Sequence, residues 1–203
     1  MTHTIRCLTP KEEHRFLSTL KKRKDAERAY TLYHLMLITG LRLSEALSLT
    51  VEQATQSTFD VKVKSWTQKG HRAPRLKAVF IPKELHEHLK AFLRHKSKHG
   101  QSLLPDAPLF VSQKGGRLSP RQVQREFKTW LKASAIESPL TPHALRHTVG
   151  TRLLKTFRNP KLVQRYLGHS DVTTTLKYYI DVFPEDLEAA AESRTNLEPL
   201  LLA

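Results

Sequence analysis

Apolar residues recur at helical spacing along most of the chain and at strand spacing in one short stretch. Thr9-Pro10-Lys11-Glu12 is a capping box with proline at the first helical position, and Phe16, Leu17 and Leu20 follow as an apolar stripe. Residues 27–39 are apolar nearly all round, which predicts a buried helix, and Thr39-Gly40 stops it. Ser44 is placed to cap a short helix through Leu49. Phe59, Val61, Val63 and Ser65 alternate with polar residues, and 76–81 read Leu76-Lys77-Ala78-Val79-Phe80-Ile81. These predict two strands, 58–66 and 76–81, joined by a polar, basic segment from Thr67 to Arg75. Leu85, Leu89, Phe92 and Leu93 return to helical spacing up to Gly100, and Leu109-Phe110-Val111 suggests a third short strand. Ser119-Pro120-Arg121-Gln122 opens a further helix with Val123, Phe127, Trp130 and Leu131 on its apolar face. Helices are then expected from Thr141-Pro142 to about Leu154, from Asn159-Pro160 to Leu167 with Gly168 as its stop, and from Asp171 through Ile180. The fold class this predicts is mainly α with a small antiparallel β-sheet.

Charge narrows the partner. The 203 residues hold 34 Lys+Arg against 19 Asp+Glu, a formal charge of +15 that favours a polyanion over a neutral metabolite. The charge is uneven. From Asp181 onward there are six acidic residues and one basic, so residues 1–180 carry a net +20. Cys7 is the only cysteine, which rules out an intrachain disulfide and fits a reducing compartment. Residues 1–6 contain no apolar run of the signal-peptide kind, and the most apolar run, Ala29–Leu41, is too short to span a bilayer. The reading is a cytoplasmic, nucleoid-associated protein with no membrane contact.

Three segments could carry chemistry. Thr39-Gly40-Leu41-Arg42-Leu43-Ser44-Glu45 holds an arginine in a tight turn between two helices. His143-Ala144-Leu145-Arg146-His147 puts His143 and Arg146 one turn apart on a helix face. Leu167-Gly168-His169-Ser170-Asp171 is followed, nine residues after His169, by Tyr178. Guanidinium forks match phosphate oxygens bidentately and keep their charge. A phenol can attack phosphorus if a base takes its proton and the developing charge is neutralised. The set suits metal-free phosphoryl transfer. His143 and His147 could instead form a zinc pair, but no Cys or carboxylate cluster supplies a third ligand and Arg146 would stand beside the cation. Arg121, Arg125, Lys128 and Lys132 make a basic stripe along the helix that opens at Ser119. Arg121, Gln122 and Arg125 are candidate base readers in a major groove, with Lys128 on phosphate, and Arg72 and Arg75 are candidate phosphate contacts in the basic hairpin.

The three segments, in this order and spacing, resemble the tyrosine recombinase (phage integrase) family over about residues 9–180. The resemblance implies a catalytic domain in which Arg42 and Arg146 clamp a scissile phosphate and His143 and His169 orient it and assist proton transfer. Tyr178 would form a 3′-phosphotyrosyl bond, and Glu45 would support the first arginine. Tyr179 is turned about 100° from Tyr178 on a helix, so one of the two can face the phosphate, and the family's spacing from the second histidine selects Tyr178. The family also uses a lysine in the turn between two strands as acid toward the leaving 5′-oxygen. The Gln68-Lys69-Gly70 tip resembles it, which makes Lys69 the expected acid, although this hairpin is longer and more basic than usual.

The resemblance further implies no metal or other cofactor, double-stranded DNA with specific sites as partner, and a homo-oligomer, dimer to tetramer, on that DNA. It points to short, single-domain members with residues 1–180 as the catalytic domain, so that either a separate N-terminal clamp domain is absent or the chain is a fragment of a longer protein. Residues 181–203, acidic and ending in Leu200-Leu201-Leu202, read as a docking tail that packs on a neighbouring protomer or folds back in cis. Two rival readings share the fold: a non-catalytic DNA-binding regulator, and a type IB topoisomerase.

Overall fold

A computed structural model describes the backbone of residues 6–66 and 72–168, and the side chains of 6–62 and 76–168. Helix α1 (Pro10–Lys21) starts on the capping box, with the Glu12 amide bonded to Thr9 Oγ1 at 3.2 Å and the Thr9 amide to Glu12 Oε2 at 2.8 Å. Helix α2 (Glu27–Thr39) is the core helix. Its Leu32, Tyr33, Leu35, Met36 and Leu37 are all buried, as an all-round apolar sequence requires. Phe16 of α1, Tyr33 of α2 and Phe127 of α6 (Pro120–Ala133) meet as an aromatic triad, with ring centroids 5.2–5.4 Å apart and edge-on or tilted.

Helices α3 (Leu43–Ser48) and α4 (Val51–Thr55) lead into a two-stranded antiparallel sheet, β1 (Thr58–Trp66) and β2 (Arg72–Phe80). In its register Thr58 faces Phe80, Val61 faces Lys77 and Trp66 faces Arg72. Phe59, Val61, Val79 and Ile81 cover the core, while Leu76 and Phe80 point outward. Helix α5 (Lys83–Lys98) packs on α2 and α4. Helices α7 (His143–Phe157) and α8 (Pro160–Leu167) build a second apolar cluster from Val149, Leu154, Val163 and Leu167.

Several expectations are corrected. The cap of α3 is Arg42, not Ser44; the carboxylate of Glu45, three residues on, accepts the Arg42 amide at 2.8 Å. Strand β2 starts at Arg72, four residues before the apolar run, because cross-strand pairing extends past the residues that pack. Leu109-Phe110-Val111 is not a strand; the region forms isolated bridges, Thr50–Pro108 and Val111–Arg117. The five-residue α4 was not foreseen. The helix expected over 171–180 and the tail lie outside the described residues. No described helix is long and apolar enough to cross a membrane.

Candidate active site

The site grows from the C-terminal end of α2. Helix ends leave backbone carbonyls without intrahelical partners, and here three are taken by side chains of α7 and α8. Arg152 Nη2 donates to Leu37 O at 2.6 Å, Tyr166 Oη to Ile38 O at 2.9 Å and Arg146 Nη1 to Gly40 O at 2.7 Å. Gly40 is left-handed (φ +64), and a Cβ there would stand 2.4 Å from Leu167 Cδ2. Only glycine lets the turn approach α8 this closely.

Arg146 is 1% exposed. Its Nη2 donates to Leu167 O at 2.8 Å, so one guanidinium ties the α2–α3 turn to the end of α8. Two carbonyls use two of its five N–H groups and leave three. Glu45, 5% exposed, lies between both arginines, with Oε1 2.7 Å from Arg42 Nη1 and Oε2 4.0 Å from Arg146 Nη1. Burial first, then the charge of Arg42, pushes the Arg146 pKa down to about 10, with Glu45 opposing. The guanidinium stays charged at neutral pH. Arg42 is the more open of the two, its side chain 33% exposed.

His143 starts α7 on the same face as Arg146 and is exposed. Partial desolvation and then the Arg146 and Arg42 charges lower its pKa. The ring is neutral at pH 7 and able to take a proton. His147 packs edge-on against it, ring centroids 4.4 Å apart, and burial with the His143 and Arg146 charges pushes it down to about 4. Among the described residues no three His, Cys, Asp or Glu side chains converge on one point.

One basic residue of the hairpin, not chosen for the site from the sequence, lies beside it. Lys77 of β2 points inward beside Val79 and Ile81. Strand alternation carries the signal: if Val79 and Ile81 face the core, so does Lys77. Its stem lies against Gly168, where a Cβ would come within 3.0 Å of Lys77 Cδ.

The fold thus brings Arg42, Glu45 and Arg146 together, with His143 at the start of the helix that carries Arg146. Residues 6–186 match the model of the phage integrase family, which is most of the chain. The chain belongs to that family. A tyrosine recombinase XerC of Vibrio cholerae is 31% identical over 147 residues, spanning 72% of this chain and 45% of its own length. A tyrosine recombinase XerC of a Methylobacterium species is 37% identical over 139 residues, 68% of this chain and 41% of its own. The chain thus spans less than half the length of these relatives. The Tn1549 transposon integrase in complex with circular intermediate DNA superposes with a TM-score of 0.71 at 26% identity, covering 93% of this chain and 68% of that one. The catalytic domain of bacteriophage HP1 integrase, 21% identical, shares the fold with a TM-score of 0.61 over 93% of this chain and 94% of its own.

The remaining expected residues divide in three. Lys69, His169 and Tyr178 lie outside the described residues. Arg72 and Arg75 fall within β2, their side chains undescribed. On α6, Arg121, Arg125 and Lys128 are exposed. Gln122 differs: its Oε1 accepts the Ser119 amide at 3.2 Å in a capping box, which ties that oxygen to the helix start and leaves its amide nitrogen the freer end.

Proposed function

We propose that the chain is the strand-cutting part of a site-specific DNA recombinase. The observation that supports it best is the Arg42–Glu45–Arg146 arrangement at the α2–α3 turn, with Arg146 also holding the Leu167 carbonyl two residues before His169. Two fixed guanidiniums can hold both non-bridging oxygens of one phosphate and neutralise charge as the fifth bond to phosphorus forms. Tyr178 is the nucleophile. Its phenolic proton passes to a neutral imidazole of His143 or His169, phosphorus joins the tyrosine oxygen, and the 5′-oxygen leaves as a hydroxyl. The phosphodiester's energy stays in the phosphotyrosine, so rejoining needs no ATP and no metal. The exposed row Arg121, Arg125 and Lys128 lies along the duplex, joined by Arg72 and Arg75 from the hairpin. Specific DNA sites are the substrate, and a homo-oligomer assembles on them. Residues 181–203 dock between protomers.

The test is a suicide substrate, whose nicked duplex traps the covalent intermediate. Wild-type protein is expected to form a protein–DNA adduct in EDTA. Tyr178→Phe should abolish the adduct and leave DNA binding intact, because one oxygen is removed. Full cleavage by that variant, with loss in Tyr179→Phe, would assign the neighbouring tyrosine. No adduct at all would leave the regulator reading. Relaxation of a supercoiled circle without exchange between paired sites would mark a topoisomerase.

A further inference from the structure

We infer that the turn over residues 112–117, just ahead of α6, is a second grip on the DNA backbone, an inference that deepens the recombinase reading above and takes duplex DNA from it. The turn reads Ser112-Gln113-Lys114-Gly115-Gly116-Arg117. It is built more firmly than a link between two elements needs. Its feet, Phe110 and Leu118, are buried, and the Leu118 amide donates to Phe110 O at 3.3 Å. Val111 and Arg117 pair across it, the Ser112 amide donates to Gly116 O at 2.7 Å, and the Gly115 amide donates to Ser112 O at 3.0 Å. Arg28 of α2 holds the near side, with Nη1 on Val111 O at 3.1 Å and Nη2 on Glu126 of α6 at 2.9 Å. Arg117 holds the far side, with Nη1 on Leu47 O of α3 at 3.0 Å. The tip is thus fixed to α2, α3 and α6 together.

What the turn presents is cationic and unspent. Lys114 and Arg117 are exposed. Arg28 is answered by Glu126 and Arg152 by Glu13, but neither Lys114 nor Arg117 pairs with a carboxylate among the described residues. Arg117 gives one of its five N–H groups to Leu47 O and keeps the rest, so its fork is held in place yet free to bind. The two glycines separate a grip from a connector. Gly115 is required by its backbone, with φ +84. Gly116 is not: its φ is outside the left-handed region, and a Cβ there would meet nothing within 4 Å. Neither conformation nor packing in this chain asks for glycine at 116, whereas a partner lying against the backbone does. The Gly116 amide makes no hydrogen bond to the described residues, so it is available to a phosphate oxygen beside the Lys114 ammonium.

The position fits the same duplex. Arg42 caps the start of α3 and Leu47 stands near its end, five residues on, or about 8 Å along the helix. That is roughly two nucleotide steps of one strand at about 3.4 Å each. A strand whose phosphate is held by Arg42 therefore runs past Arg117 and the tip, and α6, opening at Ser119, continues the cationic row through Arg121 and Arg125. Backbone contacts of this kind set register and orientation and carry no sequence information themselves.

The experiment measures binding apart from cutting, by fluorescence anisotropy of a labelled DNA duplex of arbitrary sequence titrated with the full chain over a range of salt. Each phosphate contact adds about 0.9 to the slope of log affinity against log salt. Lys114→Gln should lower the slope by about 0.9, so that its deficit against wild type shrinks about 3.5-fold between about 50 and 200 mM salt. Gly116→Ala changes no charge; it should bind the duplex more weakly at every salt concentration and melt no lower than wild type. Lys90→Gln is the control, because that exposed lysine is already paired with Glu87 at 2.9 Å, and its slope should stay that of wild type. A Lys114→Gln slope equal to wild type, the same drop in Lys90→Gln, or a Gly116→Ala protein that binds like wild type would each overturn the grip. The suicide substrate keeps the two readings apart. A wild-type protein that forms no adduct while Lys114→Gln loses slope fails the strand-cutting reading and upholds the grip. Adduct formation with an unmoved slope does the reverse.

Discussion

Replacing Glu45 by Gln removes one charge and almost no volume, and it falls where two cations depend on that charge. The carboxylate accepts the Arg42 amide at 2.8 Å and the Arg42 guanidinium at 2.7 Å, and lies 4.0 Å from Arg146. A carboxamide has a single acceptor oxygen. It can keep the backbone cap or face Arg42 Nη1, but not both, and the other contact then sets donor against donor. At an effective dielectric of about 20, unit charges about 4 Å apart attract by roughly 4 kcal/mol. Part of that is returned because the neutral side chain costs less to bury. Arg42 is one-third exposed, so water screens its share, whereas Arg146 is buried. The net loss should be about 2–3 kcal/mol, or a melting point lower by about 5–10 °C for a chain of this size.

Urea unfolding at pH 7 of wild type, Glu45→Gln, Arg42→Met and the double variant would measure it as a cycle. The coupling between Glu45 and Arg42 should be about 1–2 kcal/mol, below the total loss because Arg146 supplies the rest. Adduct formation should fall further than folding accounts for, since the clamp loses its alignment. A Glu45→Gln protein within 0.5 kcal/mol of wild type would refute the electrostatic account and leave Glu45 as a helix cap alone.

Two further outcomes follow from the same geometry. Gly40→Ala adds a methyl 2.4 Å from Leu167 Cδ2 at a φ of +64, so strain and overpacking together should cost about 2–4 kcal/mol by urea unfolding, and Leu167→Ala in the same chain should recover part of it. Acid should weaken the fold through His88 and His147, both pushed down to about 4, chiefly by burial; His88 packs against His34, with Lys21 nearby and Glu27 3.9 Å away. Their folded pKa values lie below the unfolded value, so this contribution is whole above about pH 6.5 and is lost between there and about pH 4, by up to roughly 3 kcal/mol apiece. Urea unfolding at pH 7 and pH 4.5 should show the drop, and His88→Gln should make it smaller; an unchanged pH slope in that variant would remove His88 from the account.

How much of this was legible in the sequence depends on which physics wrote each element. Capping boxes are local, so α1 and α6 start where Thr9 and Ser119 place them. The all-round apolar run over 27–39 could be nothing but a buried helix. Arg42, Glu45, His143 and Arg146 were legible as a spaced set, and the fold brings the two arginines and the glutamate into contact range. Misreadings came where a residue answers to partners far along the chain. Arg42 replaces Ser44 as the cap because Glu45 reaches back to its amide. Helix α4 is five residues long, too short to show a period. Lys77 sat in an alternation where Leu76, Ala78 and Phe80 make an equally good inner row; only pairing with β1 and packing on α8 decide which row turns inward. The α2 carbonyls held by Arg146, Arg152 and Tyr166 join residues more than 100 positions apart, and nothing local announces them.

Those carbonyl contacts divide the labour between the two arginines. Arg146 is buried, spends one N–H on Gly40 O and one on Leu167 O, and thereby fixes the distance between the first and third motif segments. The Arg42 guanidinium donates to Glu45 and is one-third exposed. On the proposed reading, a phosphate arriving from solvent would meet the more exposed Arg42 first and the buried Arg146 beneath it. The order matters for catalysis, because a donor that is already held by the fold needs no reorganisation when charge develops on the phosphate oxygens. The same logic explains why the glycines stand at Gly40 and Gly168. Each ends a helix in a left-handed turn, and each lets a side chain lie closer than a Cβ would allow, Leu167 against the first and the Lys77 stem against the second. Arg42 at the start of α3 and Arg146 in α7 are thus brought together by helix ends rather than by loops, and the Glu45 carboxylate, within 4.0 Å of both, offsets their repulsion.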